Sequence, residues 1–151
     1  MVKTLLMSIK PAYSTRIFDG TKKFELRRTA VRVTPGDRVV VYASSPIQAV
    51  VGWFTVKSVV RMRPSQLWNE HHAHFGVTAK DYFDYFEGKA TAHAIEVSHV
   101  RAVSPVPLSI LRRRMRHFRP PQSYMTWTRK TSDLTSARRR RAPARTRSTS
   151  L

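Results

Sequence analysis

The sequence contains no cysteine, few acids and no long apolar run, and each shortage closes off a class of protein. Without cysteine there can be neither disulfides nor thiolate metal sites, which suits a reducing compartment. No apolar stretch approaches the ~20 residues of a membrane-spanning helix. The opening MVKTLLMSIKP meets Lys10 and Pro11 too soon to serve as a secretory signal. A cytoplasmic protein with no membrane partner is therefore expected. The shortage of acid is the most informative: nine Asp and Glu stand against 28 Lys and Arg, a formal charge of +19. Such an excess favours a polyanionic partner, nucleic acid before an anionic membrane.

The charge is unevenly spread. Residues 112–151 carry thirteen cations and one acid, Asp133, whereas residues 1–111 carry fifteen cations and eight acids. With 41% hydrophobic residues in all, the chain has enough apolar material for one domain. From about Thr128 the large apolar residues almost vanish, so a folded unit over 1–127 and a disordered Arg-rich tail over 128–151 are predicted.

Along the folded part, TLLMSIK reads as a first strand. Pro11 opens a helix that Gly20 is placed to close. KKFELRR reads as a second strand, TPGD as a turn and RVVVYAS as a buried third strand. AVVGWFTVKSVVRM reads as one long or bent strand, with Gly52 at a bulge or a close approach. Two short helices follow, PSQLWNEHHAHF and TAKDYFDYFEG, the second capped by Thr78 and stopped by Gly88. TAHAIEVSHVRAV is another strand, PVPLSILRRRM a last helix, and FRPPQSYMTW an extended return. Five strands and three or four short helices predict an α+β fold, a small curled mixed sheet or partly open barrel.

The stretch GTKKFELRR, Gly20 to Arg28, is the most unusual. Strict alternation sets Lys22, Phe24 and Leu26 on one face and Lys23, Glu25 and Arg27 on the other. Charge on both faces means either a solvated edge carrying ion pairs or the wall of a polar cleft. Lys10, at the end of the first strand, joins Lys22, Glu25 and Arg27 if the two strands are neighbours. On residue types alone, such cations keep Glu25 ionised and blunt it as a base, leaving a net positive field for an anionic ligand.

That stretch resembles the G-x-K-x-x-E-x-R signature of the ASCH domain, with Gly20, Lys22, Glu25 and Arg27 at the matching positions. LLMSIKPAYSTRIFDG before it, PGDRVVVYASSPIQAVVGWFTV after it and FRPPQSYMTW near the end are similar to that family too. The resemblance implies a small PUA-like mixed β-barrel with short flanking helices and a cleft lined by the signature residues. It also implies binding of RNA or a modified nucleoside, with a regulatory role in transcription or RNA metabolism. The rival it implies is a hydrolase. Some ASCH-like proteins deacylate acetylcytidine with Thr, Lys and Glu; Lys22 matches their Lys, but Glu25 stands where they have Thr, and Thr21 and Thr29 lie at other offsets. A ribonuclease would instead use Glu25 as base, with Lys22 and Arg27 holding phosphate.

Other constellations have plainer readings. Tyr42, Trp53 and Tyr124 are candidates for base stacking near the cleft, with the core as the alternative for each. Tyr82, Phe83, Tyr85 and Phe86 have the spacing of a helix's core stripe. His71, His72 and His74 beside Glu70 suit a polar surface helix better than a metal site, and no metal or cofactor is expected. RRRMRHFR, together with Arg138, Arg139, Arg140 and Arg141 in the tail, is read as making phosphate contacts without sequence preference.

Overall fold

The structure, a computed structural model, describes residues 1–128. The expected tail, including Arg138–Arg141, therefore lies outside the described residues from position 129 onward.

Local chemistry sets most element boundaries. Strand β1 (Thr4–Ile9) runs into helix α1 (Pro11–Asp19), where proline fills a first-turn position whose N–H would have no helical partner. Gly20 ends α1 at φ 86°, a left-handed cap that its lack of a Cβ makes inexpensive. Strands β2 (Phe24–Arg27), β3 (Arg38–Ala43) and β4 (Ala49–Met62) follow. Pro64 then starts α2 (Pro64–His71), which tightens into a 3₁₀ turn over His72–His74. Thr78 caps α3 (Ala79–Tyr85), its hydroxyl accepting from the Asp81 N–H at 3.1 Å. Strand β5 (Ala92–Pro107), helix α4 (Leu108–Arg114) and strand β6 (Tyr124–Thr126) complete the described chain. The returning segment thus supplies a sixth strand to the five expected.

All six strands form one sheet in the order β2-β5-β4-β3-β1-β6. Strand β1 runs parallel to β3, and every other pairing is antiparallel. The long strands β4 and β5 bend through three register shifts. At Gly52 a Cβ would collide with the Arg101 carbonyl and the Phe18 ring, so the expected close approach is present. The bending brings the two ends of the sheet together. Arg27 on edge strand β2 donates from Nη2 to the Ser8 carbonyl of β1 at 2.9 Å and from Nη1 to Ser123 Oγ beside β6 at 3.3 Å. Strands β2 and β1 are separated by three others in the sheet, so these bonds require it to curl into the expected half-barrel. Arg27 clasps the seam.

Alternation sorts the core into layers. Leu5, Met7, Val39, Val41, Phe54, Val56 and Ile95 meet inside the curl with Ile17 of α1. Their sequence neighbours Leu6, Val40 and Tyr42 face outward under Leu111 of α4, Phe118 and Trp127. Phe24, Leu26, Ala92 and Ala94 are covered by Leu67, Phe75, Tyr82 and Phe86. The aromatic stripe is thus half core: Tyr82 and Phe86 are buried, whereas Phe83 and Tyr85 remain exposed.

One expectation about β2 fails. The strand starts at Phe24, not Lys22. The Lys22 N–H bonds the Arg16 carbonyl at 2.9 Å, and the Lys23 N–H bonds the His74 carbonyl at 2.8 Å. With its backbone tied to α1 and the 3₁₀ turn, Lys22 is released from the strand's two-residue period.

Candidate functional site

A cleft of about 360 Å³ opens where the ends of the sheet approach each other. Ser8, Ile9 and Lys10 at the end of β1 form one wall, and Glu25, Leu26 and Arg27 of β2 form another. Tyr13 of α1, Tyr82 and Tyr85 of α3, and Gln122 before β6 close the sides. Four of the expected site residues, Lys10, Lys22, Glu25 and Arg27, are therefore brought to one cavity.

Two of them are almost wholly withdrawn from solvent: Lys22 is 2% exposed and Glu25 5%. Glu25 pairs across the ladder with Ile95, an interior residue, so its side chain points into the curl. Its Oε1 lies 3.3 Å from Arg27 Nε, while Oε2 is buried without a hydrogen-bond partner. Lys22 donates from Nζ to the Phe75 carbonyl at 2.8 Å and lies 5.2 Å from the centre of the Tyr13 ring. The cleft thus holds a buried carboxylate with a spare acceptor, Glu25, a second and exposed carboxylate, Asp81, two cations fixed by the fold and a third, Lys10, at the exposed rim.

Burial decides the protonation chemistry, and it reverses the expectation for Glu25. Loss of solvation pushes the Glu25 carboxyl above the ordinary carboxylate range, and the attraction of Arg27 and then Lys22 only partly offsets it. Loss of solvation likewise pulls the Lys22 ammonium below its usual value, against the pull of Glu25. Neighbouring charges can be counted along a sequence, whereas the absence of water cannot. Both groups are displaced toward neutral pH, as groups that exchange protons in mechanisms are.

The three aromatic candidates do not line the cleft. Tyr42 is 3% exposed on the outward face of β3, packed with Leu6, Val50, Leu111 and Trp127. So little exposed surface leaves no ring face for a base. Trp53 lies outward on β4 with Arg38 and Arg101 over its ring, 5.6 and 5.7 Å from the centroid. Tyr124 packs against the interior cluster from β6. The rings that do reach the cleft are Tyr13, Tyr85 and the buried Tyr82, Tyr85 donating to the Leu26 carbonyl at 3.3 Å. A signal for Tyr85 was available: with Tyr82 and Phe86 taken as the buried stripe, Tyr85 is left on the flank. For Tyr13 and Gln122 the sequence holds no such signal, because their approach depends on how α1 and the return to β6 pack.

The histidine cluster is occupied locally. His72 Nδ1 lies 2.9 Å from the Trp68 carbonyl, and the His71 ring packs 5.1 Å from that of Phe24. Among the described residues, no group of three His, Asp or Glu side chains is arranged to hold a metal ion.

The fold has counterparts among known proteins. The family model described as the ASCH domain matches residues 7–106. The chain belongs to the ASCH domain family. An "ASCH domain-containing ribonuclease" of Zymomonas mobilis is 30% identical over 128 residues, 85% of this chain and 86% of that one. The crystal structure of ASCH from Zymomonas mobilis superposes with a TM-score of 0.82 at 26% identity, covering 87% of this chain and 92% of that one. A serine-to-alanine variant of that protein also gives 0.82, at 28% identity over 89% and 96% of the two chains. The PUA-like α+β half-barrel is thus shared across nearly the whole of both folds.

Proposed function

We propose that this chain acts on single-stranded RNA at the seam cleft, capturing one unpaired nucleotide and cleaving the strand beside it. The observation that carries this reading is Glu25, a buried carboxylate with an unpartnered oxygen beside Arg27 and Lys22. The name of the Zymomonas relative supports it, and for that reason the role is assigned to RNA metabolism rather than to transcription.

The chemistry follows from the two displaced groups. Glu25, which burial makes more basic than an ordinary carboxylate, takes in its ionised form the proton of a ribose 2′-hydroxyl. The resulting alkoxide attacks the adjacent phosphorus, the bond to the 5′-oxygen breaks, and a 2′,3′-cyclic phosphate remains. Lys22, a stronger acid than a solvated lysine, supplies the proton that the departing 5′-oxygen needs. Arg27 and Lys10 face the negative charge that builds on the phosphoryl oxygens. A cavity of about 360 Å³ is at the small end of ligand pockets and suits a single nucleotide, with Tyr13 and Tyr85 beside it. Deacylation of a nucleoside has less support. The position that would carry the nucleophile is Glu25, and Thr21 directs its hydroxyl to Asp19 Oδ1 at 2.7 Å.

The test uses a short unstructured RNA and the same oligomer with one 2′-deoxy position. Cleavage should leave a cyclic phosphate on the all-ribose strand and stop at the deoxy position. Tight binding with no cleavage of either strand would make the chain a binding module, and cleavage that ignores the 2′-hydroxyl would exclude Glu25 as its base.

A further inference from the structure

Across the barrel from the seam, the outward face of the sheet carries a second concentration of charge of a different kind. Between Val97 and Thr128 the chain has six arginines and no Asp or Glu. Arg101, Arg112, Arg113, Arg114, Arg116 and Arg119 are all exposed. Arg101, Arg112, Arg113, Arg116 and Arg119 have no carboxylate partner among the described residues. Trp53 organises part of this surface. Phe54 and Val56 point inward, so Trp53 points outward on middle strand β4, with the guanidinium groups of Arg38 and Arg101 over its ring. Helix α4 sits on the same face: Leu111 and Trp53 belong to one cluster, and Arg112 is near enough to Tyr42 to act on its hydroxyl electrostatically.

We propose that this outward face, Trp53 with Arg38 and Arg101 together with the arginines at the end of α4, is a second RNA-binding surface that holds the phosphate backbone of the strand whose nucleotide occupies the cleft. Its chemistry matches a polyphosphate. Guanidinium groups form paired bonds to phosphate oxygens, and two of them held over an indole lose less freedom on binding than free side chains would. It does not match a lipid surface, because α4 has no exposed large apolar residue to insert: Leu111 is buried, and Leu108 and Ile110 pack against the cluster. The inference rests on RNA as the partner but not on cleavage.

The experiment compares the full chain with a variant carrying Arg101→Gln, Arg112→Gln and Arg113→Gln, three exposed changes outside the cleft. The probe is a labelled single-stranded poly(U) RNA of about 20 nucleotides, titrated at several salt concentrations. Each phosphate contact on a single strand contributes ~0.7 to the logarithmic salt slope, so the triple variant should have a slope lower by about 2. Between 50 and 200 mM salt the unaltered chain should then lose roughly twentyfold more affinity than the variant does. Trp53→Leu, which releases both guanidinium groups while keeping their charge, should weaken binding severalfold with the slope retained. Cleavage of the dinucleotide UpA, too short to reach both surfaces, should be the same in all three proteins. An unchanged salt slope in the triple variant overturns the inference, as does loss of binding to phosphatidylserine vesicles with RNA binding intact. If no protein cleaves UpA but the slope still falls, the reading of the cleft fails and this one stands.

Discussion

The cleft and the outward face are both basic, yet they differ in the quantity that sets chemistry, which is water. In the cleft, Lys22 and Glu25 are withdrawn from solvent, and desolvation outweighs the attraction of neighbouring charges. On the outward face the arginines from Arg101 to Arg119 stand in solvent and mainly add to a field. A count of cations would rank the outward face higher. Proton transfer, however, needs groups whose charged state is costly, and those are at the seam. Burial, rather than number, is thus what separates the two sets of basic residues.

The sharpest way to break this contrast is to disturb the clasp. Arg27→Ala removes the partner of a buried carboxylate and the bonds to Ser8 and Ser123, and such losses cost about 3–5 kcal/mol. The loss should depend on pH in a definite direction. A carboxyl whose folded pKa is raised favours the fold fully below its unfolded value, and that advantage disappears as pH rises through the folded value. Without Arg27 the folded value rises further, so the variant should melt closest to the parent under mildly acidic conditions and fall away as the solution becomes neutral. A uniform small loss at every pH would mean that Arg27 is a surface ion pair. A removal on the outward face, such as Arg113→Gln, should leave the melting temperature almost unchanged.

A smaller effect is expected from Lys22→Met, which keeps most of the stem but removes the charge, the bond to the Phe75 carbonyl and the cation–π contact with Tyr13. Charge-assisted bonds contribute about 1.5–3 kcal/mol, so affinity for a mononucleotide should fall by roughly ten- to a hundredfold. The salt slope for long RNA should hold, because the outward face is intact. Isothermal titration with uridine monophosphate measures the first quantity, and the poly(U) titration measures the second. A variant that lost slope but kept mononucleotide affinity would exchange the roles of the two regions.

Much of the fold was legible because the chain is punctuated by residues with specific backbone demands. Pro11 and Gly20 bracket α1, Pro64 starts α2, Thr78 caps α3, and Gly52 marks a place where no side chain fits. That Lys22, Glu25 and Arg27 would meet at one cavity was legible too, since they share one short stretch. What was not legible was everything that depends on distant packing. The position of Lys22 is set by bonds to Arg16 and Phe75, outside any strand period. Tyr42 belongs to RVVVYA, a strand apolar on both faces, so alternation could not say which face meets the cleft. The direction of the Glu25 shift depends on walls contributed by β1, α1 and α3, which no local count of charges contains.

The most direct measurement is the pH dependence of single-turnover cleavage of a short RNA by the unaltered chain and by Glu25→Gln. Removal of a general base costs typically 10²–10⁴-fold in rate. The unaltered rate should climb with pH as Glu25 loses its proton, with an inflection above the ordinary carboxylate range. The Glu25→Gln variant should still bind the RNA, cleave it at least about a hundredfold more slowly, and lack that inflection. Equal rates in the two proteins, or the same inflection in both, would contradict the assignment of Glu25 as the group that makes this cleft a catalytic site.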